Sequence, residues 1–267
     1  MMLKEYKEDS KEYMRMYHSV ESYRQPLGTK FLDTTFNDPF FRILNDEYIT
    51  RAKDYIEGWC NSLTIKDLDY VKGFYLFSNL GRCKTSIASC VYNWFIDNSY
   101  PICAVISTRY LFELFDEDWG DNVNRLAYLE RMPVLIVDDI GVDYITKGFT
   151  GEERNSNLKR FFDIRNDVGK ITCFTSNYTF DGLVERGYSP QIVDRIREMT
   201  NGHQIRINGD SIRNGNDLQR VVEQAREEKA RKRKEEEKNK PVNEMARKNI
   251  ELAKELLSKM KRVQPTD

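Results

Sequence analysis

Residues 77–86 read FSNLGRCKTS. A loop that wraps phosphates follows the pattern G-x-x-x-x-G-K-[ST]: glycines let the backbone approach the anion, a lysine reaches the terminal phosphates and a hydroxyl holds magnesium. On that pattern Ser78 and Cys83 stand where glycines belong, while Gly81, Lys84 and Thr85 are present. The candidate loop is therefore Ser78, Asn79, Leu80, Gly81, Arg82, Cys83, Lys84, Thr85 and Ser86, with Thr85 as the metal-holding hydroxyl. A Lys-Thr pair opening an ordinary surface helix looks the same, so the surrounding sequence has to decide.

Working outward, FYLF at 74–77 predicts a strand entering the turn, and Lys84 opens a helix whose Ile87, Ala88, Val91 and Phe95 share one face. The same alternation continues downstream. Apolar runs without polar alternation, ICAVIS, PVLIVDD, ITCFTSN and HQIRI, are separated by the amphipathic stretches RYLFELF, RLAYLERM, NLKRFFDIRND and QIVDRIREM. Strands of this kind between helices indicate a parallel sheet covered on both faces, an α/β fold. That is the setting a phosphate loop requires.

The chain has 267 residues, of which 40% are hydrophobic, enough for a buried core. Lys plus Arg (42) nearly cancel Asp plus Glu (43), so contact with nucleic acid would have to come from local patches. Cys60, Cys83, Cys90, Cys103 and Cys173 are scattered and read as reduced thiols, and with two histidines no usual zinc spacing forms. No apolar run reaches the length of a signal or membrane segment, which predicts a cytoplasmic protein.

Three regions are expected. Residues 1–30 form a polar, tyrosine-rich arm with Tyr13, Met16, Tyr17 and Val20 at helical spacing; 31–216 form the core; and 217–267 form a charged tail. A helix with Ile49, Ala52, Lys53 and Ile56 on one side precedes the core, entered from a loop containing Pro39. In the tail, Glu227–Arg231 and Glu228–Lys232 suit an exposed helix, and Ala246, Ile250, Ala253 and Leu257 form an apolar stripe flanked by Leu256 and Met260.

The strongest single signal is MPVLIVDDIG, residues 132–141. An apolar strand ending in two acids puts carboxylates at the carboxyl edge of a parallel sheet, where the phosphate loop also opens. Asp138 is placed to hold magnesium and Asp139 to orient or deprotonate the attacking water, although a strand followed by a helix-capping Asp reads similarly. Asn177 closes ITCFTSN and is either a reader of the terminal phosphate or a turn former. Arg195 and Arg197 lie on a later helix and Arg213 follows the final strand; arginine suits phosphate, and it also populates ordinary surfaces.

The order of these elements discriminates better than any one of them. LIVDDIGV, TCFTSN, VDRIRE and INGDSIR together resemble an AAA+ ATPase, specifically the bacterial helicase loaders of the DnaC/DnaI type and the related IstB transposition ATPases, over residues 31–214. TTFNDPFF is similar to the segment these proteins place before their core. The resemblance implies a parallel-sheet P-loop NTPase core flanked by a helical arm and a charged helical tail. It further implies Lys84 and Thr85 as the Walker A pair, Asp138 and Asp139 as Walker B, and Asn177 as sensor 1. Arg195 would be the finger offered to a neighbouring subunit's ATP, and Arg213 would be sensor 2 acting on its own nucleotide. The cofactors so implied are ATP and Mg2+. The partners are a replicative hexameric helicase, single-stranded DNA and further copies of the chain in a ring or spiral.

The sequence departs from that family at Ser78 and Cys83, and the DnaI-type zinc-binding N-terminal domain has no counterpart, so helicase docking would fall to the arm or the tail. A non-glycine residue at positive φ costs about 1–2 kcal/mol, which predicts weakened ATP binding, in the tens to hundreds of micromolar by about tenfold per 1.4 kcal/mol, with slow hydrolysis. A nucleotide-free adaptor that recruits helicase through its tail, or an IstB-like partner of a transposase, is the alternative. STRYLFELF, residues 107–115, offers Arg109 and Tyr110 for single-strand contact, or Leu111, Leu114 and Phe115 simply for packing.

Overall fold

A computed structural model describes residues 34–63, 71–98, 103–116, 121–214 and 216–239. The arm, and the apolar stripe from Ala246 to Met260, lie outside the described residues.

The elements run α1 (Pro39–Leu44), α2 (Glu47–Ser62), β1 (Tyr75–Ser78), α3 (Lys84–Asp97), β2 (Cys103–Ser107), α4 (Thr108–Asp116), α5 (Asp121–Arg131), β3 (Val134–Ile140), α6 (Phe149–Asp167), β4 (Ile171–Ser176), α7 (Phe180–Glu185), α8 (Pro190–Met199), β5 (Gln204–Ile207), a 3-10 turn (Ile212–Asn214) and α9 (Asn216–Asn239). Pro39 does not sit in a loop. It occupies the first turn of α1, where its missing N–H costs nothing, and Asp38 caps that helix by accepting from the Phe40 N–H.

The five strands form one sheet in the order β2-β3-β4-β1-β5, and every pairing is parallel. All carboxyl ends therefore lie along one edge, and β4 separates the loop-bearing β1 from the acid-tipped β3. Alternate residues of each strand feed different layers. Phe74 and Leu76 of the β1 segment, with Val134 and Ile136 of β3, pack with Ile49, Ile56, Ile87, Val91 and Phe95 of α2 and α3. Tyr75, Leu135 and Val137 join Leu111, Phe161, Phe162, Ile192 and Ile196 on the opposite face. Both faces are covered, which is why the strands lack polar alternation.

Arg165 is completely buried yet fully bonded. Its guanidinium donates to the carbonyls of Leu129, Met132 and Ile171 and to Thr172 Oγ1, tying the end of α5 to the start of β4.

The boundary at 217 does not mark the end of packing. α9 lies along α1, with Ala225 buried and Lys232 paired to Glu228 at 3.3 Å. No helix among the described residues is long and apolar enough to cross a membrane.

Candidate nucleotide site

The loop after β1 turns through Gly81 at φ 73° and Cys83 at φ 59° before α3 begins at Lys84. Gly81 has no room for a side chain. A Cβ there would come within 2.2 Å of Ser211 Oγ, because the Gly81 carbonyl accepts the Ile212 N–H at 3.1 Å and draws the 3-10 turn against the loop. Ser78, by contrast, sits at the end of β1 without positive φ, so a glycine there is not a conformational necessity. The loop thus keeps glycine where neighbours demand it, and only Cys83 holds a left-handed conformation that a side chain disfavours. Burial pushes its thiol up to about 12.

Lys84 is buried, and its ammonium donates to Ser78 Oγ at 2.9 Å and to the Asn79 carbonyl at 3.2 Å. Burial lowers its pKa to about 8, against the pull of Asp139 and Asp138. Arg82 faces elsewhere: its guanidinium grips Asp46 through two contacts of 2.8 Å and reaches the Asp210 carbonyl, clamping the loop to the start of α2. Leu80 is 64% exposed at the tip and Asn79 is exposed beside it, while Ser86 lines the neighbouring cavity.

On β3, the pairing with β4 advances three residues, from Val137 to Ile140, while β4 advances two, from Phe174 to Ser176. This bulge gives Asp139 a φ of 59° and turns two consecutive acids toward one edge. Thr85 Oγ1 donates to Asp138 Oδ2 at 3.1 Å, and Thr175 Oγ1 donates to Asp138 Oδ1 while accepting the Asp139 N–H at 2.9 Å. Burial first, then the neighbouring Asp139 charge, raises the Asp138 pKa; burial also raises that of Asp139, opposed by Lys84 and Arg213. Thr175 is a member of the site that the sequence reading did not single out.

Asn177 follows the residue of β4 that pairs with both Phe77 of β1 and Ile140 of β3. It therefore stands at the same edge, between the loop and the acids. Arg213 lies against the loop, its Cγ 3.1 Å from where a Gly81 Cβ would be, and its charge acts on Lys84 and Asp139. Arg195 is not brought to this cluster: on α8 it bonds Asp163 of α6 and Glu198. Arg197 stacks over Phe180. Arg109 is mostly exposed and pairs with Asp143, while Leu111, Leu114 and Phe115 are buried, so the apolar part of that helix packs as expected.

A cavity of about 310 Å³ opens beside the loop, lined by Gly81, Cys83, Ser86 and Arg213, by Thr34, Asp38 and Phe40, and by one face of α9. It continues from the charged cluster toward α1. This combination, a loop opening a helix after β1 with paired acids two strands away in a 2-3-4-1-5 sheet, decides the fold.

This is a parallel α/β core with a P-loop-like turn after β1. Solved structures share it. The chain is similar to the crystal structure of DnaI (TM-score 0.54, 22% identity, covering 71% of this chain and 94% of that one). It is similar to the DnaC helicase loader (TM-score 0.53, 18% identity, 68% and 100% covered). It also resembles the replication initiator DnaA bound to AMPPCP and single-stranded DNA (TM-score 0.52, 15% identity, 70% and 52% covered). No family model matches the chain, and the curated proteins yield no match. All five cysteines are free thiols.

Proposed function

We propose that this chain is an ATP-binding replication ATPase that helps place a replicative helicase on single-stranded DNA. The observation that carries the reading is the convergence, at one sheet edge, of Lys84, the Thr85–Asp138 contact, Asp139 and Arg213.

The residues fit magnesium. A hydroxyl and a carboxylate already 3.1 Å apart, with a second acid beside them, form the all-oxygen, incomplete shell that Mg2+ completes with waters and phosphate oxygens. Bound there, the ion would neutralise charge developing on the phosphates. Thr85 and Asp138 hold it in this reading. Lys84 leaves Ser78 and Asn79 to meet the terminal phosphates, Asp139 accepts a proton from the attacking water, and Asn177 orients that water. Arg213 serves its own nucleotide. Arg195, engaged with Asp163, acts on a neighbour's in a ring or spiral assembly.

The names of the similar structures support the replication context: one is a helicase loader, and another is an initiator bound to an ATP analogue and single-stranded DNA. One observation favours a second reading. Cys83 carries a Cβ at positive φ in the phosphate loop, as a nucleotide-free adaptor that retains the fold would tolerate. An IstB-like role beside a transposase shares the ATP site. The test is Lys84→Ala, scored for ATP turnover and for loading of a hexameric helicase. Loss of both supports the ATPase reading, and loading that persists without turnover supports the adaptor.

A further inference from the structure

The Lys84 ammonium has its donors committed inside its own loop. An ammonium carries three N–H groups and no lone pair, and among the described residues those groups meet Ser78 Oγ at 2.9 Å, the Asn79 carbonyl at 3.2 Å and the Ser78 carbonyl at 3.4 Å. The two carbonyls are backbone groups, which any residue at position 78 or 79 would offer. The shortest contact is the one that a glycine at 78 could not supply.

The surroundings make that hydroxyl a firm acceptor. Ser78 is the last residue of β1, is buried and lies in register with Ile207 of β5, so its oxygen rides on a paired strand rather than on the exposed tip at Leu80. Its one proton goes to the Asn79 carbonyl at 2.8 Å, which leaves its lone pairs to Lys84. Lys84 is itself buried at the start of α3, and a buried cation keeps the partners it has. The Lys84–Ser78 bond thus ties the two ends of the loop together across six positions.

We propose that the Ser78 hydroxyl is a built-in stand-in for a phosphate oxygen, a competitor that holds the Lys84 ammonium until nucleotide displaces it and so weakens ATP binding. The inference rests on the nucleotide reading of the loop and adds a determinant of its affinity. A phosphate oxygen carries charge and the hydroxyl oxygen does not, so the exchange favours nucleotide, yet the bond to Ser78 has to be given up first. Ser78 therefore costs affinity through its oxygen. Backbone strain is not its contribution, since its φ is not positive, unlike that of Cys83.

Two substitutions separate the oxygen from the carbon that bears it: Ser78→Ala removes the hydroxyl and keeps the Cβ, and Ser78→Gly removes both. Isothermal titration with ATP and magnesium should show both variants binding about three- to tenfold more tightly than wild type. Tighter binding by Ser78→Gly alone would assign the effect to crowding by the Cβ, and unchanged or weaker binding by Ser78→Ala would make the hydroxyl a bystander or a phosphate ligand; each of these overturns the competitor. Melting of nucleotide-free protein supplies a readout that needs no ATP. Ser78→Ala should lower Tm by about 2–4 °C when Lys84 is present and by less than about 1 °C in a Lys84→Met background. Equal shifts in the two backgrounds overturn the link between the residues. Wild-type and variant proteins that bind no ATP, while that difference in Tm persists, would overturn the nucleotide reading and the competitor role together and leave the Ser78–Lys84 bond in place.

Discussion

Thr85 Oγ1 donates a hydrogen bond to Asp138 Oδ2 across 3.1 Å, joining the first turn of α3 to the end of β3 past the intervening strand β4. Fifty-three positions separate the two residues in the chain. Their meeting is what turns a degenerate loop and an acid-tipped strand into one site, and it places the hydroxyl and carboxylate proposed to hold magnesium beside the lysine.

Cys83 already holds φ 59° in the ligand-free loop. Its strain is therefore carried by the folded protein rather than imposed by nucleotide, which shifts the expected penalty from affinity to stability. Cys83→Gly should raise stability by about 1 kcal/mol, or about 2–4 °C in Tm, while ATP affinity changes less than about threefold. Calorimetric melting and nucleotide titration of the same variant check both halves. A large gain in affinity would show instead that the Cβ crowds a phosphate.

Thr175 braces both acids, one through its hydroxyl proton and the other through its oxygen. Thr175→Val keeps the shape and removes both bonds. The expected outcome is turnover lower by at least about tenfold, with nucleotide Kd within about threefold, since the loop is untouched. Parallel kcat and Kd measurements separate this from general damage.

These two residues also show what was legible in sequence. The sheet was readable because strands buried on both faces leave uninterrupted apolar runs, and PVLIVDD and ITCFTSN announced their edge by ending in polar groups. The loop was readable from Lys84 and Thr85 despite the missing glycines. Thr175 was not, because a threonine in a strand is usually just a β-former; only the bulge at Asp138–Asp139 brings its hydroxyl between two carboxylates. Arg82 sits inside the loop by position, but its pairing with Asp46 is long-range and invisible to local pattern. α1 was missed because six residues carry too short a period, and the packing of α9 was missed because ion pairs to Asp38 and Arg42 leave no apolar stripe.

Lys84 and the acids set a pH window. Lys84 falls to about 8 in the folded protein from an ordinary 10.5, so its charged form is disfavoured by folding and welcomed by phosphate. As pH rises from about 8 toward 10.5, the unfolded chain holds the proton that the native lysine has shed, and this group makes the ligand-free protein more stable. Nucleotide affinity moves the other way over the same range, by up to about tenfold per pH unit, because binding must restore the proton. On the acid side the raised pKa of Asp138 protonates the carboxylate proposed to hold magnesium earlier than an ordinary Asp, so magnesium affinity should fall. Titrations at several pH values, with melts of ligand-free protein, check the opposed trends.

Arg109 is largely exposed on α4, its guanidinium engaged among the described residues by Asp143 at 3.2 Å. If this surface grips single strands, Arg109→Ala weakens oligonucleotide binding by about three- to tenfold and reduces its salt dependence by roughly one phosphate contact. Fluorescence anisotropy across a salt series gives the answer, and an unchanged slope removes Arg109 from any DNA contact.

The central claim is that Lys84 and Thr85 of α3 and Asp138 and Asp139 of β3 surround one triphosphate. Isothermal titration of wild-type protein with ATP, with and without magnesium, and of Lys84→Ala under the same conditions, addresses it most directly. The account predicts magnesium-dependent binding well below millimolar ATP, abolished by Lys84→Ala. No heat of binding at millimolar ATP, or identical binding by the variant, would contradict it.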